Sequence, residues 1–106
     1  MIVYFENNSE VMTYESFNKG YREDVFVVIE NKAYQLNVYT MIRLKQDFEL
    51  EIKDYGFYEM VPNLILVNEC QEEDIIKTIK ELQERGFFSA LKPLKSFDFN
   101  GMYQVI

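Results

Sequence analysis

The chain has 106 residues and a mass of 12.7 kDa, a length that supports one hydrophobic core and not two. With 48% hydrophobic and 27% charged residues, and nine Phe and eight Tyr among them, there is enough bulky side chain to pack a core, and disorder is excluded as the main description. Net charge is −7 and histidine is absent, which removes Ser-His and Cys-His nucleophile pairs, histidine-metal sites and any imidazole base.

Residues 2–6 read as a short strand. Met1 to Glu6 carries no basic leader, and Glu6, Asn7 and Asn8 interrupt the apolar start, so the segment does not read as a signal peptide. Between Ser9 and Gly20, Val11, Tyr14 and Phe17 recur at helical spacing, with Tyr21 next in the series and with Asn8 or Ser9 as cap and Gly20 as stop. This predicts a short helix, with a strand through 11–17 as the alternative. Asp24 to Glu30 is β-branched and aromatic, and Asn31-Lys32 offers a two-residue turn.

Strict alternation follows. Tyr34, Leu36, Val38, Thr40, Ile42 and Leu44 share one parity, which Phe48, Leu50 and Ile52 continue. That pattern predicts strand, and its length predicts two paired strands broken near Lys45 to Asp47. Asp54-Tyr55-Gly56 reads as a turn, Phe57 to Val61 as a further strand, and Leu64 to Val67, after Pro62-Asn63, as a central strand covered on both faces.

Asn68 opens the best-marked helix, with Gln71 three residues on completing a capping-box pattern and Ile75, Ile76, Ile79 and Leu82 as the buried stripe. Glu73/Lys77 and Glu81/Arg85 are i,i+4 pairs in the favourable order, and Gly86 ends the helix with Phe87 placed to pack back on Leu82. Phe97 and Phe99, Asn100-Gly101, then Tyr103 and Val105 predict a terminal hairpin. The expected fold is α+β over residues 1–106 as a single domain. It is a mainly antiparallel sheet with one long helix in the C-terminal half and a short N-terminal helix packed on it.

Cys70 is the only cysteine, so an intramolecular disulfide and cysteine-rich zinc sites are excluded, and a cytoplasmic setting fits. Glu69 and Glu72 beside it oppose thiolate formation, which argues against a nucleophile. No apolar run approaches a membrane span. Few bases and an acidic field argue against nucleic acid.

The negative charge is not spread evenly. From Lys45 to Asp74 there are nine acids and two bases, and in the rest of the chain nine of each. Asp47, Glu49 and Glu51 are read as one wet strand face, and Glu72, Glu73 and Asp74 as acids favoured by a helix N-terminus. A one-signed surface also speeds association with a basic partner, and Tyr55, Phe57 and Tyr58 around Gly56 add the aromatics found in binding hot spots. An alternative is that Phe57 is core and the tyrosines roof it. The candidate partner-binding residues are Asp47, Glu49, Glu51, Tyr55, Tyr58, Glu72, Glu73 and Asp74. Glu49 and Glu51, about 7 Å apart on one strand face, are the one candidate for a catalytic or cation-binding pair. With no phosphate loop or calcium-loop motif beside them, no catalytic residue, metal or cofactor is expected.

The strand Pro62-Asn63-Leu64-Ile65-Leu66-Val67 and the helix from Glu72 through Leu82 to Arg85-Gly86-Phe87-Phe88, in a small acidic chain, resemble small immunity proteins of bacterial contact-dependent inhibition and related polymorphic toxin systems. The resemblance covers about residues 57–95. It implies a non-enzymatic inhibitor that binds a cognate toxin domain, often a basic nuclease, as a monomer or weak dimer, through surfaces that cannot be carried over by position. The alternative is a small acidic regulatory or adaptor domain.

Overall fold

The computed structural model describes all residues, Met1–Ile106. Five strands form one sheet in the order β4-β3-β2-β1-β5, where β1 is Ile2–Phe5, β2 Tyr21–Ile29, β3 Lys32–Tyr39, β4 Leu64–Leu66 and β5 Tyr103–Gln104. Three helices accompany it: α1 Glu10–Lys19, α2 Met41–Tyr55 and α3 Glu72–Glu84, with a 3₁₀ turn at Phe87–Ala90. The class is α+β, as expected, but the sheet is mixed. Of its four pairings three are antiparallel, and β3 with β4 runs parallel because α2 carries the chain across between them; β4 is an edge strand with Leu66 exposed, not the central, doubly covered strand expected of 64–67.

Strand register sorts the side chains onto two faces. Val3 pairs with Val27 and Phe5 with Val25, Val25 with Leu36, Val27 with Tyr34, and Val38 with Ile65. These residues form the first face and, with Val67, Cys70, Ile75, Ile79 and Phe88, the buried core. A bulge between Arg22 and Val25 turns Arg22 onto the same side. Its guanidinium lies 3.9 Å from the Phe5 ring centre and meets buried Asp24 at 2.6 Å. Asp24 in turn accepts from the amides of Glu6 and Asn7, and Arg22 donates to the Asn7 carbonyl. A charge pair this deep is tolerated because its remaining hydrogen-bonding capacity is taken up.

Several elements follow the sequence closely. Ser9 caps α1, accepting from the Met12 amide, and Gly20 ends it with φ +74°. Glycine is required at that point, since a Cβ would sit 2.6 Å from Thr40 Oγ1. The side chains predicted to bury α1, however, do not. Val11, Tyr14 and Phe17 are exposed, and Ser16 is the buried position. The β2–β3 turn uses Glu30-Asn31, both at positive φ, one residue before the expected pair.

The largest correction concerns residues 41–55. They are helix, not strand, so the expectation of one long helix becomes two. Thr40 caps α2 by accepting from the Arg43 amide, and Gly56 ends it at φ +80°. Apolar residues at 42, 44, 48, 50 and 52 keep strand parity, yet Met41, Leu44, Phe48, Ile52 and Tyr55 equally satisfy the helical period. Met, Leu, Lys, Gln and Glu, which favour helix, decide between them. The Phe57–Val61 strand is irregular chain instead. It is tied down where Asn37 Nδ2 donates to the Pro62 carbonyl and Asn63 Nδ2 to that of Gln35.

Asn68 is not the cap of α3. The helix starts at Glu72 behind Gln71, which makes no side-chain cap bond, and residues 68–71 instead carry Cys70 into the core. Glu81–Arg85 closes at 3.1 Å. The terminal hairpin does not form. Its turn exists, with Met102 N donating to the Phe99 carbonyl, but β5 pairs with the open edge of β1. Phe99 stacks on Tyr4 at 4.6 Å across the second face, burial that two strands pairing only with each other would not provide.

Candidate functional site

Helix α2 lies over the second face of the sheet, at the end marked by Tyr21 and Tyr39. Arg43 sits 4.3 Å from the Tyr21 ring centre and bonds Asp47 at 3.0 Å. Phe48 meets Tyr58 edge-on at 6.2 Å between ring centres. Helix α3 packs on the other face, through Ile75 and Ile79.

This placement divides the candidate residues. Asp47, Glu51, Tyr55 and Tyr58 come together along one groove of about 440 Å³, completed by Leu50, Phe57, Glu59 and Val61. Tyr55 and Phe57 are 67% and 63% exposed, so Phe57 is not a core residue under a tyrosine roof. Tyr58 is partly covered, and its hydroxyl is the one buried side-chain polar atom without a hydrogen-bond partner. Burial, and then the carboxylates of Asp47 and Glu51, hold its phenol above the ordinary tyrosine range, with Arg43 opposing. Deeper in, Tyr39 donates to Glu23 at 3.3 Å, and burial with the charges of Glu23 and Asp47 pushes its pKa up to about 12.

Glu49 stands apart. Residues two apart on a helix point in nearly opposite directions, so Glu49 and Glu51 form no pair on one face, and the spacing that suggested a cation or acid/base site belonged to the strand reading. Glu49 instead lies 4.0 Å from Lys45 on exposed surface. Glu72, Glu73 and Asp74 occupy the first turn of α3, where the helix dipole favours acids. Glu72 accepts from Asn8 Nδ2, and Asp74 from Gln71 Nε2. A segment continuous in sequence is therefore two separate surfaces. Counted as a helix from Met41, α2 carries four acids against three bases, since Arg43 lies just outside the segment over which the charge was summed.

Cys70 is a buried, free thiol. Burial raises its pKa to about 11, with Arg22 opposing and Asp24 reinforcing. The direction matches the sequence reading, but the main cause is burial rather than neighbouring glutamates. Phe57 is among the hot-spot aromatics read from the sequence, whereas Leu50, Glu59 and Val61 are groove residues that the sequence reading does not include among the binding candidates. The signal that could have found them is the helical period of 41–55, which places Leu50 and Glu51 on the groove side with Asp47. No helix is long and apolar enough to cross a membrane.

In comparisons with known proteins, no family model matches the chain, and neither a curated protein nor a solved structure does so.

Proposed function

We propose that the protein is a non-enzymatic binding protein that inhibits a basic protein partner by seating it in the α2 groove, and that it serves as the immunity protein of a bacterial toxin, most simply a basic nuclease domain. The observation that carries this reading is the groove itself. Exposed Tyr55 and Phe57 stand beside Asp47, Glu51 and Glu59 in one concave surface. Large aromatics next to carboxylates supply apolar contact area together with a field that attracts lysine and arginine. The Tyr58 hydroxyl, covered beside Asp47 and Glu51 and without a hydrogen-bond partner, is a donor the fold leaves unused.

Roles divide along the groove. Tyr55, Phe57 and Tyr58 provide the anchoring contacts, and Glu51 and Glu59 steer the approach of a positive surface. Asp47 is already paired with Arg43 and contributes less to steering. An adaptor domain that recognises a peptide or a folded host protein is the second reading. The near balance of charge on α2 favours it, because a balanced helix steers a basic nuclease only weakly.

Co-expression with the product of the neighbouring gene tests the proposal, read as a stable complex and rescue from toxicity. No complex and no rescue contradict the immunity reading. With a partner in hand, the E51K/E59K double variant is expected to slow association about 10-fold or more at low salt, within the range ascribed to electrostatic steering. An unchanged rate would assign those acids to solvated surface.

A further inference from the structure

The apolar stripe of α2 is only partly used by the molecule's own fold, through the contact of Phe48 with Tyr58. Met41, Phe48, Ile52 and Tyr55 are 61%, 47%, 39% and 67% exposed, Leu44 is partly covered, and no residue of the helix is buried. The five positions are also symmetric. Leu44 and Ile52 lie four residues on either side of Phe48, and Met41 and Tyr55 seven residues on either side. At 1.5 Å per residue, the stripe runs about 10 Å each way from Phe48.

A stripe with this symmetry reads the same from both ends. Two copies can lie antiparallel with Phe48 against Phe48 on a two-fold axis, Leu44 facing Ile52 and Met41 facing Tyr55 of the other copy, each contact occurring twice. That reciprocity is what an isologous interface requires. Polar residues on one flank agree with it. Lys45 and Glu49 lie on the same side of the stripe and on opposite sides of Phe48, so the rotation brings Lys45 of each copy beside Glu49 of the other.

We infer that α2 is a homodimerisation helix, and that its partner on this stripe is a second copy of the chain in antiparallel register centred on Phe48. The interface is small. Using aromatic side-chain areas of about 150–250 Å² and the exposed fractions above, the stripe contributes on the order of 500 Å² per copy. The total of about 1,000 Å² is at the lower limit for a specific interface. The dimer is therefore a weak one. Tyr55 is shared with the proposed partner groove, whereas Glu51 and Glu59 lie outside the stripe.

Analytical ultracentrifugation of the intact chain from low micromolar to about 0.5 mM tests this. The expected result is a monomer passing to a dimer as concentration rises. Because a residue on the two-fold meets its own copy, Phe48→Glu and Phe48→Lys are each expected to remain monomeric at every concentration, while an equimolar mixture of the two regains the dimer. Gln46→Glu, exposed on the far side of α2 and outside the proposed partner groove, is expected to dimerise like the parent. Circular dichroism and thermal melting confirm that each variant is folded, which the absence of buried residues in α2 permits. A parent that stays monomeric at 0.5 mM, a dimer that persists in Phe48→Glu, or a mixture no more associated than its components would each overturn the inference.

Discussion

Helices α2 and α3 are alike in length and amphipathic, and they lie on opposite faces of one sheet, but they are used differently. Helix α3 brings Ile75 and Ile79 to full burial against Val3, Val27, Leu36 and Val38, whereas α2 buries no residue. At about 25 cal/mol per Å² of apolar surface removed from water, the first arrangement stabilises the domain more than the second, whose apolar side chains are only partly covered. What holds α2 in place is its cap at Thr40, the Arg43 contact with Tyr21 and the Phe48–Tyr58 contact. An amphipathic helix whose apolar stripe remains open to solvent is the feature on which both proposals above rest. The fold thus separates a face that makes the domain from a face left largely uncovered.

This contrast can be broken by substitution. The largest effect is expected in the charge pair on the core side. Asp24→Ala leaves Arg22 buried without its partner and should cost about 3–5 kcal/mol, read as a loss of folding free energy in urea titration. Ile79→Ala removes a fully buried side chain from α3 and should cost about 2–5 kcal/mol. Ile52→Ala, the same substitution in chemistry but on α2, should cost about 1 kcal/mol or less, since that side chain is 39% exposed in the folded state whereas Ile79 is fully covered. Equal costs for the two isoleucines would refute the division of labour.

A smaller effect comes from Tyr39, which lies beneath α2. Its folded pKa of about 12 is above the unfolded value of 10.0, so the folded state holds the proton more tightly. The resulting stability is complete below pH 10 and is lost as pH rises through 12. Ultraviolet titration should show phenol ionisation continuing well past that of the exposed tyrosines, and Tyr39→Phe should remove its latest step. If every phenol titrated together near pH 10, Tyr39 would be neither buried beneath α2 nor close to Glu23 and Asp47.

Much of this was legible in the sequence, for identifiable reasons. Apolar runs at 25–29 and 64–67 mark two of the strands, and a stripe of four apolar residues on one face identifies α3, but the unbroken run at 64–67 misleads about position, because it forms the edge strand β4 and not a central one. Helix α2 was misread because its apolar residues satisfy two periods at once, and the even-numbered parity of β3 runs on through Thr40 into the helix. The overlooked signals were Thr40 and Gly56 as cap and stop, and the Arg43/Asp47 and Lys45/Glu49 pairs at helical spacing. That error also shaped the candidate site. As a strand, residues 47–51 put three acids on one face. As a helix, they direct Asp47 and Glu51 to the groove and Glu49 away. The division of the acidic segment between two faces of the sheet could not be read from order along the chain, because it depends on the chain passing through β4 before α3 begins.

Amide hydrogen exchange at low micromolar concentration compares the two helices most directly. Amides of α3 should exchange only through global unfolding, while those of α2 should exchange through local openings that cost several kcal/mol less. Equal protection of 44–55 and 75–84 would show that α2 belongs to the cooperative core and would contradict the account.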